Sequence, residues 1–203
     1  GARICRALTA DSSIELLVAG RDASRASAFA HALNQIHHHH AKGVAVDWQS
    51  AHFVQTLQAH GVELLVHTAG PFQGQDYAVA QACAEAGAHY IDLADGRRFV
   101  CDFAAALQAP FVAANRIAIT GASTVPALSS AVVDFLSRGW SRIDSIGICI
   151  APAQTAPRGV ATLEAVLSYC GMPIPVWMGG RWQEQAGWAD LQRVQFARLR
   201  PRL

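Results

Sequence analysis

Lysine is nearly missing from this chain of 203 residues: Lys42 stands alone against fifteen arginines. It sits beside Gly43 in a loop, which argues against a buried catalytic lysine. The arginines are scattered, with one dense group at Arg198, Arg200 and Arg202 that reads as a solvated face. The net charge of +1 asks for no acidic polymer, so no nucleic-acid partner is expected. Cysteine is sparse and unpatterned. Cys5, Cys83, Cys101, Cys149 and Cys170 are an odd set without a CxxC pair, as expected of free thiols in a reducing cytoplasm. No apolar run reaches the ~18 residues of a membrane helix, and the N-terminus has no signal-peptide regions. A soluble, cytoplasmic protein with no membrane partner is the expectation. The run His37 to His40 is rejected as a metal site, because consecutive loop histidines do not converge tetrahedrally on one ion.

What is present is alternation. Helical spacing over Ala2 to Thr9 gives way to an apolar run at 14–19 closed by Gly20, then to a helix from Ser24 to Leu33. Strands follow at Gly43 to Val46, Val62 to His67, His89 to Leu93 and Arg116 to Thr120. Helices at Ala51 to Ala59, Asp76 to Ala86 and Arg98 to Gln108 separate them. Strands alternating with helices of about ten residues predict parallel βαβ units and a doubly wound α/β sheet. Beyond Ser123 the pattern predicts a helix from Thr124 to Leu136, a strand from Ile143 to Ile150 and a helix from Gly159 to Tyr169. From Gly171 the amphipathic signal fades. A boundary near 138 separates a first domain, 1–138, from the start of a second, 139–203.

Ligands of such sheets sit beyond the carboxyl ends of the strands, so the residues following each strand are the informative ones. Gly1 precedes the first helix, and is either the last glycine of a glycine-rich turn or an arbitrary start. Gly20-Arg21 ends the strand where an enzyme using NAD presents an acidic residue to the ribose. Arg21 offers instead a planar, permanently charged fork suited to the 2′-phosphate of NADP, with Gly20 leaving room for the adenosine. Asp22 follows, and keeps a 2′-hydroxyl reading open. Asp47 meets an adenine edge or caps a helix. Thr68 to Phe72, stiffened by Pro71, lets backbone approach a ribose or nicotinamide closely. Asp92, Asp95 and Arg97 border an amine-bearing substrate, or cap the helix starting near Arg98. His67, ending an apolar strand, reads as a core histidine.

The segment Thr68-Ala69-Gly70-Pro71-Phe72-Gln73-Gly74-Gln75-Asp76-Tyr77-Ala78-Val79-Ala80 continues through Ala82-Cys83 to Gly87-Ala88-His89-Tyr90-Ile91-Asp92-Leu93-Ala94-Asp95-Gly96. Its Gly-Pro-Phe loop, Ala-Cys helix and Gly-x-x-Tyr-x-Asp-Leu strand resemble the NADP-binding domain of saccharopine dehydrogenase-like proteins. Ala19-Gly20-Arg21 and Gly121-Ala122-Ser123 agree, and the resemblance spans roughly residues 1 to 170. It implies a Rossmann domain holding NADP(H), joined to an α/β domain that closes over a small-molecule substrate and mediates a homodimer in the full-length protein. The implied reaction passes hydride between nicotinamide and an amino-acid-derived imine or related carbonyl. Two alternatives stay open: a lipid-linked enoyl or keto reductase of the same fold, and a non-catalytic NADP-binding protein. The resemblance puts Gly1 at the pyrophosphate, Arg21 at the 2′-phosphate and Ala69, Gly70, Pro71 and Phe72 at the nicotinamide ribose, with Tyr90, Asp92 and Asp95 bordering the substrate. Two departures go with it. The family's first strand and two further glycines are missing ahead of Gly1, and the family pattern runs on past 203, so the expectation is an inactive fragment that binds cofactor poorly.

Overall fold

The protein is described by a computed structural model covering residues 1–37, 40–151, 155, 159–189 and 192–196. His38 and His39 of the histidine run, and Arg198, Arg200 and Arg202, lie outside the described residues. Two compact units emerge. The first gathers Gly1–Ala69, Asp76–Asp92 and Phe103–Ile119; the second gathers Gly70–Gln75, Leu93–Asp102 and Thr120–Leu203.

In the first unit α1 (Ala2–Leu8) precedes β1 (Leu17–Gly20), α2 (Ala23–His37), β2 (Lys42–Ala45) and α3 (Phe53–Ala59). Then come β3 (Leu64–His67), α4 (Ala78–Ala86), β4 (His89–Asp92) and β5 (Ala118–Ile119). The helix α5 (Arg97–Ala113) starts in the second unit and ends in the first. All strand pairings here are parallel, as the alternating pattern predicts: β1 with β2, and β3-β4-β5 in that order. Among the described residues β1 pairs only with β2, and β3 only with β4. Leu16, Ala30, Leu33 and Ala41 form one buried cluster, against which Cys5 and Leu8 of α1 pack. At Gly43 the backbone of α2 lies so close that a Cβ would meet Ser27 N at 2.3 Å. Around β4 the small residues Ala80, Cys83 and Ala84 of α4, and Phe103, Leu107 and Phe111 of α5, are buried.

The helix α5 outruns its predicted end at Gln108 and passes through Pro110 to Ala113. Proline removes one N–H donor, a loss smaller than what Leu107 and Phe111 gain by burial on either side.

The second unit departs further from the pattern. The helix predicted over 124–136 is a wide turn over Thr124–Leu128 followed by α6 (Ser129–Leu136). Pro126 is the cause, since the residue before a proline is driven out of the helical region, and Val125 is extended at φ −129° and ψ 124°. The predicted strand from Ile143 to Ile150 has no ladder among the described residues, and its isoleucines are exposed. Alternation supplies a face; a strand also needs a hydrogen-bonding neighbour. After α7 (Val160–Leu167) the chain forms an unpredicted antiparallel hairpin, β6 (Pro173–Met178) with β7 (Arg181–Ala186). No helix among the described residues is long and apolar enough to cross a membrane.

Candidate functional site

Parallel pairing brings the carboxyl ends of neighbouring strands to one edge. On the β1-β2 side the last rung is Val46 N–H donating to Gly20 C=O at 2.9 Å, so Arg21 and Asp47 both follow the same closing bond. Arg21 is exposed, and a Cβ on Gly20 would meet nothing within 4 Å. Asp22 turns away from ligand duty: its Oδ1 accepts the Arg25 N–H at 3.0 Å, capping α2. Asp47 is engaged in its own turn, with Oδ1 accepting Gln49 N–H and C=O accepting Ser50 N–H, both at 3.1 Å. Gly1 abuts the end of β3, where its Cβ would stand 3.0 Å from Thr68 Oγ1.

Where β3 and β4 end, the register pairs His67 with Asp92. Tyr90 lies two residues before Asp92 and therefore on the same face of β4. All three are buried, Tyr90 and Asp92 almost completely. His67 Nδ1 lies 3.0 Å from Tyr90 Oη, and the Tyr90 hydroxyl also bonds the Asp92 carboxylate. Which partner donates in the His67–Tyr90 bond is set by the imidazole tautomer. Burial, and then the Asp92 carboxylate, push the Tyr90 phenol far above its ordinary range. Burial pulls the His67 imidazole down, against the opposing pulls of the Asp92 charge and a hydrogen bond with the Ala69 backbone. The Tyr90 ring stacks on Phe103 with centroids 6.0 Å apart, so Tyr90 is a core side chain.

In the second unit the loop residues Gly70–Gln75 meet the segment following β4. Phe72 is buried edge-to-face on Phe99, centroids 5.4 Å apart. Gln75 Nε2 donates to Pro71 C=O at 2.9 Å and holds the turn. Gly96 is required by close approach: a Cβ would stand 3.2 Å from the Phe72 carbonyl carbon and oxygen. Gln73 Nε2 donates to Asp95 Oδ1 at 3.1 Å, so Asp95 ties two loops together. Arg97 N–H donates to Tyr169 Oη at 3.1 Å, and its guanidinium donates to Pro175 C=O. Tyr169 and Gln73 carried no signal in the sequence; contacts spanning 72 residues and 22 residues are invisible to local pattern.

A cavity of about 540 Å³ lies elsewhere, lined by Glu63, His89 and Arg116 among others. Those residues sit at the amino ends of β3, β4 and β5, the edge that parallel sheets do not use for ligands.

The family description "Saccharopine dehydrogenase NADP binding domain" matches residues 1–125. The chain belongs to this family. No curated protein matches it. As a saccharopine dehydrogenase-type NADP-binding domain it takes NADP(H) as its cofactor. The end of β1 suits that group, because an exposed guanidinium follows a glycine with open space beside it and the nearest carboxylate in sequence is occupied as a helix cap.

Proposed function

We propose that this chain is the cofactor-holding part of an NADP(H)-dependent oxidoreductase acting on an amino-acid-derived imine or a related carbonyl. The observation that carries the reading is the end of β1, where Arg21 stands exposed while Asp22 is spent on α2. There Arg21 takes the 2′-phosphate, Gly20 leaves room for the adenosine, and Asp47 borders the adenine. Gly1 lies at the pyrophosphate, and the Ala69, Gly70, Pro71 and Phe72 backbone lies at the nicotinamide ribose. The bound cofactor supplies or accepts the hydride. Asp95, with Gln73 and Arg97, gives a charged rim suited to a zwitterion, and Tyr90 and Asp92 are the further residues assigned to the substrate. The parallel pairings β1-β2 and β3-β4-β5 are of the kind a doubly wound sheet uses.

The second reading, a reductase of lipid-linked carbonyls or enoyl groups, draws on the exposed Trp177 and Trp182 of the hairpin. A screen of amino acids, keto acids and acyl thioesters, read by NADPH oxidation, separates the two. Turnover of none of them, with NADPH bound, supports the non-catalytic alternative.

The direct test is a fluorescence titration of NADPH and NADH. We expect NADPH to bind more tightly, and Arg21→Ala to weaken NADPH alone by about 10- to 100-fold, the worth of a charge-assisted phosphate contact. Equal affinities in the parent protein would remove Arg21 from the site.

A further inference from the structure

The Phe72 loop is held by the segment 95–97, and that segment is held in turn by chain beyond residue 125, where the family match ends. We propose that Arg97 and Tyr169 are positioning residues for the Phe72 loop. Tyr169 and Pro175 fix the start of α5, and through Gly96 and Asp95 they set the backbone at which the nicotinamide ribose is placed. What the loop touches rests on the cofactor reading above; what holds it rests on contacts within one unit.

Arg97 opens α5, and its N–H is one of the donors that the first turn of a helix leaves without an internal acceptor. The Tyr169 hydroxyl accepts it at 3.1 Å, across 72 residues of chain. The Arg97 guanidinium donates to Pro175 C=O, a charge-assisted bond onto β6. One residue is therefore gripped by main chain and side chain alike, by the stretch that runs from the end of α7 into β6. Two contacts carry that grip to the loop. Gly96 passes so close that a Cβ would stand 3.2 Å from the Phe72 carbonyl and 3.3 Å from Gln73 Cα. Asp95 Oδ1 accepts Gln73 Nε2 at 3.1 Å. The Phe72 ring packs on Phe99, in the first turn of the same helix, so a shift of that turn moves the loop by its side chain as well as its backbone. A helix start is ordinarily satisfied by the residue just before it. Borrowing the acceptor from 72 residues away adds what a local cap lacks, a fixed relation between the helix start and β6.

The test uses the full chain and two ligands: NADPH, and 2′,5′-ADP, which keeps the adenosine and the 2′-phosphate and lacks the nicotinamide ribose. Tyr169→Phe removes the acceptor and keeps the ring, and Arg97→Met removes the guanidinium and keeps an unbranched stem. Arg97→Lys, which retains a charged donor, serves as the rescue. In Tyr169→Phe and Arg97→Met we expect NADPH affinity to fall about ten-fold, the worth of one hydrogen bond, and 2′,5′-ADP affinity to change by less than about two-fold. Arg97→Lys should recover most of the loss. Equal losses for the two ligands would mark residues that only support the fold and overturn the proposal, as would no loss in either variant. A second readout needs no cofactor. The amide resonances of Gly70 and of Phe72 to Gln75 should shift or broaden in both variants, whereas changes confined to Arg97 and its helix would reduce Tyr169 to a cap and overturn the proposal. If the parent protein binds neither ligand, the cofactor reading fails, and the resonances still decide what holds the loop. Should Arg97→Met not fold, Tyr169→Phe, which deletes a single oxygen, decides.

Discussion

Two buried titratable side chains divide the labour differently. Cys83 has no exposed surface, and burial pushes its thiol up to about 12, so it is a small apolar filler on the buried face of α4. His67 keeps a directed hydrogen bond, and its buried setting links it to acid stability. Its affinity for a proton is lower folded than unfolded, because burial outweighs the Asp92 charge. Below the ordinary histidine value of about 6.5 the unfolded chain therefore binds more protons at this site than the folded one. The stabilisation is complete above that pH and is lost as pH falls towards the lowered folded value, at no more than about 1.4 kcal/mol per pH unit. Urea unfolding between pH 7 and pH 5 should show this slope in the parent protein and a flatter one in His67→Asn; parallel slopes would assign the acid sensitivity elsewhere. The end of β1 is the most legible part of the proposed site, because an arginine where an acid would otherwise stand is a local fact. The His67 partnership was not legible in the same way. It depends on the register between two strands that are 25 residues apart, His67 to Asp92, and no single-strand pattern carries a register.

Glycines separate the scaffold from the site at the level of elements. Gly43 lets α2 lie directly on β2, with Ser27 backbone atoms where a Cβ would be, whereas Gly20 has nothing within 4 Å. Gly43→Ala should therefore cost about 3 kcal/mol, the upper end for overpacking, and lower Tm by roughly 6 to 12 °C. Gly20→Ala should leave Tm nearly unchanged and weaken NADPH binding, since the methyl enters the space assigned to the adenosine. A thermal scan of both variants with an NADPH titration checks the pair; equal loss of stability in the two would contradict the packing described. The parallel βαβ order was readable because each element announces itself by period. The hairpin β6-β7 was not read, although Gly179 and Gly180, with φ of 58° and 75°, form the kind of two-residue turn that joins antiparallel strands. The proline- and tryptophan-rich flanks hid it, since Pro173 and Pro175 fit only an edge strand. The segment 143–150 failed in the opposite sense, with a strand's alternation and no partner strand among the described residues.

Over the whole molecule, large apolar side chains are exposed unevenly. Phe135, Trp140, Ile146, Ile148, Trp177, Trp182 and Trp188 all belong to the second unit and are each more than half exposed. Monomeric proteins seldom leave so many in water, so this chain in isolation should bind anilinonaphthalene sulfonate and associate as its concentration rises. Light scattering should show a mass that climbs with loading, and the combined Ile148→Glu and Trp182→Glu change should reduce it. A mass that stays monomeric at high concentration would contradict this. Meanwhile the backbone passes between the two units five times, at 69–70, 75–76, 92–93, 102–103 and 119–120. Neither unit is therefore a continuous stretch of gene. No single protease nick can release either one whole, and no truncation from one end can remove all of one unit without cutting into the other.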